Sequence, residues 1–270
     1  MRKQALIAAV ALIAAPLAAA ADGPPRSPVM DTFYGPTYSH SIFVGGEVAR
    51  DSWEGYIGSV WALNRDLSKD GILFRTMGSY GQYDYNFGIP HDGTAWQGDM
   101  MVGYQWVRQQ FHMALYAGID RINHDLSPFD PFNPARGSEV GLKVGIDLET
   151  HRHTGLQYYY ALEGTYSTAF DTYFLLGRLG VNRNGTIFGV EGWLLGDVSG
   201  DAQRLGAFLS FDRQLRPDLL AEVTLSAGYQ FTDEELTTLC GSFFGSEGAY
   251  ATLNISFFFG GERRHDLLKP

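Results

Sequence analysis

The chain has a single cysteine, Cys240. One thiol cannot close an internal bridge, so a disulfide-stapled scaffold is excluded and other forces must hold the fold. Basic residues are also scarce, with 20 lysines and arginines against 30 aspartates and glutamates and a formal net charge of −10. This balance argues against a nucleic-acid partner, which needs a basic face to neutralise phosphates. Beyond residue 21 no apolar run approaches the roughly 18 residues of a membrane helix. If this chain sits in a membrane, it must cross with strands.

The N-terminus supplies an address. Arg2 and Lys3 precede the apolar run LIAAVALIAAPLAAA, and Ala19, Ala20 and Ala21 are small residues at cleavage-type positions. Residues 1–21 therefore read as a secretory signal cleaved near Ala21. Losing Arg2 and Lys3 leaves 18 basic residues against 30 acidic ones, a formal charge of −12. An acidic, exported, cysteine-poor chain suits the envelope of a Gram-negative bacterium. The expected organisation is a periplasmic segment over 22–39, one large domain over 40–259 and a polar tail over 260–270.

Glycine, tyrosine and phenylalanine are plentiful, at 33, 15 and 18 residues. Their spacing follows period two, the alternation of a strand. In 139–149, Val140, Leu142, Val144, Ile146 and Leu148 oppose Glu139, Gly141, Lys143, Gly145, Asp147 and Glu149. In 220–231, Ala221, Val223, Leu225, Ala227, Tyr229 and Phe231 oppose Glu222, Thr224, Ser226, Gly228 and Gln230. In 96–106, Trp96, Met100, Val102, Tyr104 and Trp106 oppose Gln97, Asp99, Gly103 and Gln105, with aromatics near both ends as interfacial girdles require.

Strand-like segments cover about 40–50, 52–63, 71–86, 95–107, 110–124, 137–149, 155–168, 171–183, 186–197, 202–213, 218–231 and 247–259. Their number is even, and they reach the roughly 9–11 residues a membrane strand needs, beyond the 5–6 usual in soluble sheets. A soluble sandwich alternates too, but the polar faces here carry Asp99, Lys143, Asp147, Glu163, Arg178, Arg204 and Glu222. The predicted fold class is all-β, a transmembrane antiparallel β-barrel of about twelve strands. Long connections follow the third, fifth and eleventh strands (NFGIPHDG, DLSPFDPFNPAR and TDEELTTLCGSFFGS), which puts them on one external side. Asn184-Gly185 reads as a tight hairpin turn on the other.

The segments GGEVARDSWEGYIGSVWALNRDLSKDG (45–71), GSYGQYDYN (78–86), GDMMVGYQW (98–106), GSEVGLKVG (137–145) and TYSTAFDTYF (165–174) carry a resemblance. They resemble the BcsS-type cellulose biosynthesis proteins of alphaproteobacteria from about residue 40 to 259. That resemblance implies an exported outer-membrane protein associated with cellulose, with outer-membrane lipid and cellulose or other cellulose-synthesis components as partners. It supplies no catalytic residues.

The residues themselves give no convincing chemistry, so no catalytic residue, metal or cofactor is assigned. His151 and His153 lack further ligands at metal spacing and read as a solvated basic turn. His40-Ser41 lacks an acid and an oxyanion arrangement. Glu139, Asp147, Glu163 and Glu222 could form a glycosidase-like pair by proximity, but paired networks with Lys143, Arg178 and Arg204 account for them better. The glycines of GVEGWLLG precede no helix and make no phosphate loop.

Inward aromatics are the remaining candidates. Tyr116, Tyr159 and Phe208 share a face with Asp120, Glu163 and Arg204, and Tyr83 and Tyr85 join them as candidate lumen contacts for a glucan. Space-filling in a narrow lumen explains the same rings. In SPFDPFNPARG, Phe129 and Phe132 stand on a proline-stiffened external loop as candidate docking residues, with packing over the barrel mouth the favoured arrangement and Gly137 turning the chain back. The expected function is a nonenzymatic barrel supporting cellulose biosynthesis, anchoring or export. A lipid- or glycan-modifying enzyme and a general solute porin are the alternatives.

Overall fold

The structure, a computed structural model, describes residues 37–87, 89–152, 157–232 and 246–260. The signal with its cleavage near Ala21, residues 22–36, the tail from 261, His153 and Cys240 lie outside the described residues. Twelve antiparallel strands form the domain: β1 (Tyr38–Ala49), β2 (Ser52–Ala62), β3 (Gly71–Phe87), β4 (Ile89–Val107), β5 (Phe111–Ser127), β6 (Gly137–Thr150), β7 (Tyr158–Ser167), β8 (Tyr173–Arg183), β9 (Thr186–Gly196), β10 (Asp201–Arg216), β11 (Leu219–Thr232) and β12 (Gly248–Gly260). Each pairs with its sequence neighbour, and β1 closes onto β12 through pairs such as Ser41 with Phe258 and Val44 with Ile255. Closure leaves no unpaired edge, the condition for backbone inside hydrocarbon.

The alternation sets two surfaces. Val44, Ile57, Met100, Ile119, Leu142, Val190, Leu205 and Leu225 point outward and are exposed. Arg75, Asp99, Lys143, Glu191, Arg204 and Gln230 point inward and are buried. Water would disfavour so continuous an apolar exterior, whereas a bilayer requires it. Aromatic pairs mark the belt's two margins: Trp53 against Tyr80 and Tyr229 against Phe231 at one end, Tyr104 against Trp106 at the other. At that second margin His40 stacks on Trp61 at 4.2 Å and on Phe259 at 4.9 Å.

Two connections differ from expectation. On both sides of Gly88, which lies outside the described residues, NFGIPHDG is paired: β3 and β4 continue as a ladder joining Asp84 with Asp92, Tyr85 with His91 and Asn86 with Pro90. Continued pairing satisfies the backbone, and the Tyr85 and His91 rings stack at 4.9 Å. At 17, 19 and 17 residues, β3 to β5 rise beyond β7 to β9 at 10, 11 and 11. The segment 63–70, at the end where β1 starts and β12 finishes, is also longer than a tight turn. It stays compact because Gln105 donates to the Leu67 and Lys69 carbonyls at 3.1 and 2.6 Å. The Asn184-Gly185 turn is as predicted, both residues having positive φ (53° and 84°), the geometry a two-residue hairpin needs.

Candidate functional site: a braced lumen under a lid

The inward face is a set of buried charges held by one another. The Glu191 carboxylate accepts from Arg178 Nε (2.9 Å), Trp193 Nε1 (2.8 Å), Tyr250 Oη (3.0 Å) and Ser226 Oγ (2.9 Å). Arg204 forks onto Glu47 with two 2.8 Å bonds and gives its Nε to Gln230 at 2.7 Å. Lys143 bonds Asp99 at 2.7 Å, while Asp120 accepts from Gln97 and Ser167. Buried charge costs least when its hydrogen-bonding capacity is met, and among the described residues two buried atoms, Asp99 Oδ1 and Arg152 Nη1, have no hydrogen-bond partner.

Several of these contacts cross the lumen. Arg75 on β3 approaches Glu163 on β7 at 3.7 Å, and Arg204 on β10 reaches Glu47 on β1. Arg152, from the segment after β6, reaches Glu222 on β11 and Ser210 on β10. Between these struts lies a cavity of about 390 Å³ lined by Glu54, Tyr56, Asp147, Glu149, Tyr159 and Glu163. That volume is in the range of a small-molecule site.

The lid end is built differently. In the segment 128–136, Asp130 and Asn133 are 2% and 0% exposed, while Phe129 and Phe132 are 71% and 73% exposed. Asp130 accepts the Tyr85 hydroxyl at 3.0 Å and the Phe132 amide at 2.9 Å, and Asn133 donates to the Tyr85 hydroxyl at 3.2 Å. Below them the Tyr83 hydroxyl and His124 Nδ1 are 3.1 Å apart, and the His124 ring meets Phe170 edge-on at 5.3 Å. Phe170 packs with Ile122, Ala135 and Ala169. Its φ of 50° is unfavourable for a bulky residue. The Glu139 carboxylate secures it by accepting its amide at 2.8 Å, and its carbonyl accepts from Val198 at 2.9 Å.

The aromatics of the segment are thus reversed from the packing expected of them. Fully burying a phenylalanine is worth about 1.5–3 kcal/mol, and both remain in solvent. The reason is geometric: the two Asx side chains fold back on their own backbone and claim the inward positions.

The sequence-predicted residues separate accordingly. Tyr159 and Glu163 line the cavity. Tyr116 and Phe208 are wall residues beneath the Arg75 and Arg178 guanidinium groups, at 5.9 and 5.3 Å. Arg204 is consumed by Glu47, and Tyr83 and Tyr85 hold the lid. His40 and Ser41 point to opposite faces, His40 to the outer girdle and Ser41 to the lumen, and do not meet as a hydrolase pair.

The His151 turn is not simply solvated. His151 stacks on His112 at 5.6 Å, its Nε2–H donates to the Arg108 carbonyl at 2.9 Å, and burial followed by His112 lowers its pKa. Sequence reasoning missed the Glu191 hub, the Arg152 strut and the Asp130/Asn133 anchors. Only the polar phase of GVEGWLLG and the Asx residues among the prolines signalled any of them.

An apolar exterior, an ionic lumen and a closed even-stranded sheet define a transmembrane β-barrel. The family model for cellulose biosynthesis protein BcsS matches residues 41–259, and the chain belongs to that family. No curated protein matches it. Among solved structures it is similar to the β domain of the Bordetella autotransporter Brka (9% identity, TM-score 0.45, 84% of this chain and 100% of that one). It is also similar to the KdgM porin (9%, 0.38, 82% and 99%) and to Omp33 of Acinetobacter baumannii (12%, 0.36, 84% and 100%). The barrel assignment stands on the closed strand pairing rather than on these likenesses.

Proposed function

We propose that this protein is a nonenzymatic outer-membrane barrel of a cellulose-producing system that engages the glucan at its external face instead of passing it through the lumen. The observation that carries this reading is the set of struts across the lumen, Arg75 to Glu163, Arg204 to Glu47 and Arg152 to Glu222, beneath a hydrogen-bonded lid. A glucan chain entering the lumen would have to part these charge pairs one after another, of which Arg204 with Glu47 is the most buried and Arg75 with Glu163 the most open. The lid end, opposite the end where β1 starts and β12 finishes, is then the cell exterior, consistent with export on a signal cleaved near Ala21. The pairing of Glu163 with Arg75 favours a binding role over hydrolysis.

The test has two parts. The protein is expected in outer-membrane fractions as a band that shifts on heating, as stable barrels do. Deleting its gene is expected to reduce or disorganise surface cellulose under cellulose-producing conditions, and unchanged cellulose would sink the proposal. The 390 Å³ cavity favours a second reading as a small-solute channel, which predicts steady single-channel current in planar bilayers where the braced barrel predicts little.

A further inference from the structure

We propose that Phe129 and Phe132 form a rigid aromatic platform for one extended β-1,4-linked glucan chain. The inference deepens the proposed function and rests on it. Its starting point is an inverted partition: the lid buries an aspartate and an asparagine almost completely and exposes both phenylalanines by more than two thirds. Loops ordinarily do the reverse. The exposure is also held in place. Asp130 and Asn133 each accept an amide two residues on, Arg136 donates to the Asn133 carbonyl at 2.9 Å and to the Pro131 carbonyl, and its guanidinium lies 5.9 Å from the Phe129 ring centre.

A surface already ordered loses little entropy on binding, which distinguishes a built platform from a floppy apolar loop. The occupant follows from chemistry and family. In a β-1,4-glucan every ring substituent is equatorial, so each pyranose presents a face of C–H bonds that lies flat on an aromatic ring. Its hydroxyls project sideways, within the range of groups such as Arg136. The chain is uncharged, so the acidic balance of the protein does not repel it. Membership of a cellulose biosynthesis family makes that polymer the candidate occupant.

The experiment uses full-length protein folded in detergent micelles, titrated with cellohexaose and, in parallel, sedimented with amorphous cellulose. The wild type is expected to bind both. F129S/F132S is expected to lose at least tenfold in affinity while keeping its heat-dependent gel shift, and F129W is expected to stay within about threefold of wild type. Asp130→Ala, which keeps both rings but frees the loop, is expected to weaken binding less than the double substitution. Equal glucan binding by wild type and F129S/F132S overturns the platform, as does absence of binding by the wild type. A change of oligomeric state in F129S/F132S with glucan binding intact also overturns it and assigns the rings to self-association. In cells, a deletion phenotype that F129S/F132S restores in full removes the platform and leaves the wider function standing. No phenotype on deletion removes both.

Discussion

The two ends of this barrel are closed by different physics. At the lid end, side-chain bonds to hydroxyl and backbone groups and apolar packing do the work: Asp130 and Asn133 anchor to Tyr85, and Phe170 packs on Ile122, Ala135 and Ala169. At the end where β1 starts and β12 finishes, the segment 63–70 packs Leu67 on the cluster of Leu73, Met101 and Tyr116 on one side, and Arg152 reaches Glu222 and Ser210 on the other. The first closure is distributed over many modest contacts. The second depends, on the Glu222 side, on one cation. Loss of a single contact should therefore matter far more at the second end.

The sharpest way to break the comparison is Arg152→Ala. Its side chain is 8% exposed and that of Glu222 22%, so the change leaves a largely buried carboxylate without its cation. Removing one partner of a buried pair costs about 3–5 kcal/mol, and the residual solvent at Glu222 points to the lower part of that range. Chemical denaturation in detergent should show the loss, and planar bilayers should show a steady current absent from the wild type. If current stays at baseline while stability falls, Arg152 braces the wall without gating the lumen.

Asp130→Ala makes the matching cut at the other end. It removes the acceptor for the Tyr85 hydroxyl and the Phe132 amide, worth roughly 1–3 kcal/mol locally. Faster proteolysis within 128–136 is expected, with the heat-modifiable barrel and the bilayer current unchanged. A collapse of the barrel would show that the lid belongs to the folding core and that the two ends are not independent.

Much of this asymmetry lay beyond the sequence. Period two fixes which strand residues share a face, and the membrane-barrel reading then turned Asp99, Lys143, Glu163 and Arg204 inward and Val140, Leu142 and Val144 outward. Pairing order followed from hairpin connectivity. What alternation cannot give is which strands meet across the lumen, because Arg75 and Glu163 are 88 positions apart and Arg204 and Glu47 are 157. The Arg152 strut was hidden for a related reason: a cation in a turn reads as solvated unless the cavity it can reach is known. In the lid, apolar content pointed to Phe129 and Phe132 packing inward, whereas the side-chain to backbone bonds of Asp130 and Asn133 decided the orientation.

The smallest effect separates the two ends by pH. Burial, opposed by bonds from Ser199 and Gly200, raises the Asp197 carboxyl in the lid-end segment after β9 to about 6. A group raised on folding stabilises the structure fully below its unfolded value of about 3.8, and that contribution is lost as pH climbs through 6. At Asp66, in the segment after β2, burial also disfavours the charge, but bonds from Lys69 and Ser68 outweigh it and hold the carboxyl below 3.8. Its contribution is present above the unfolded value and is lost as pH falls through the lowered one. Acidification from pH 7 to 5 should therefore tighten the lid end at Asp197, whereas the Asp66 contribution is lost only in stronger acid. Amide exchange near 197–200 should slow over that first interval, and Asp197→Asn, which keeps the acceptor oxygen but cannot ionise, should abolish the slowing. Equal slowing in both proteins would assign the effect to another group.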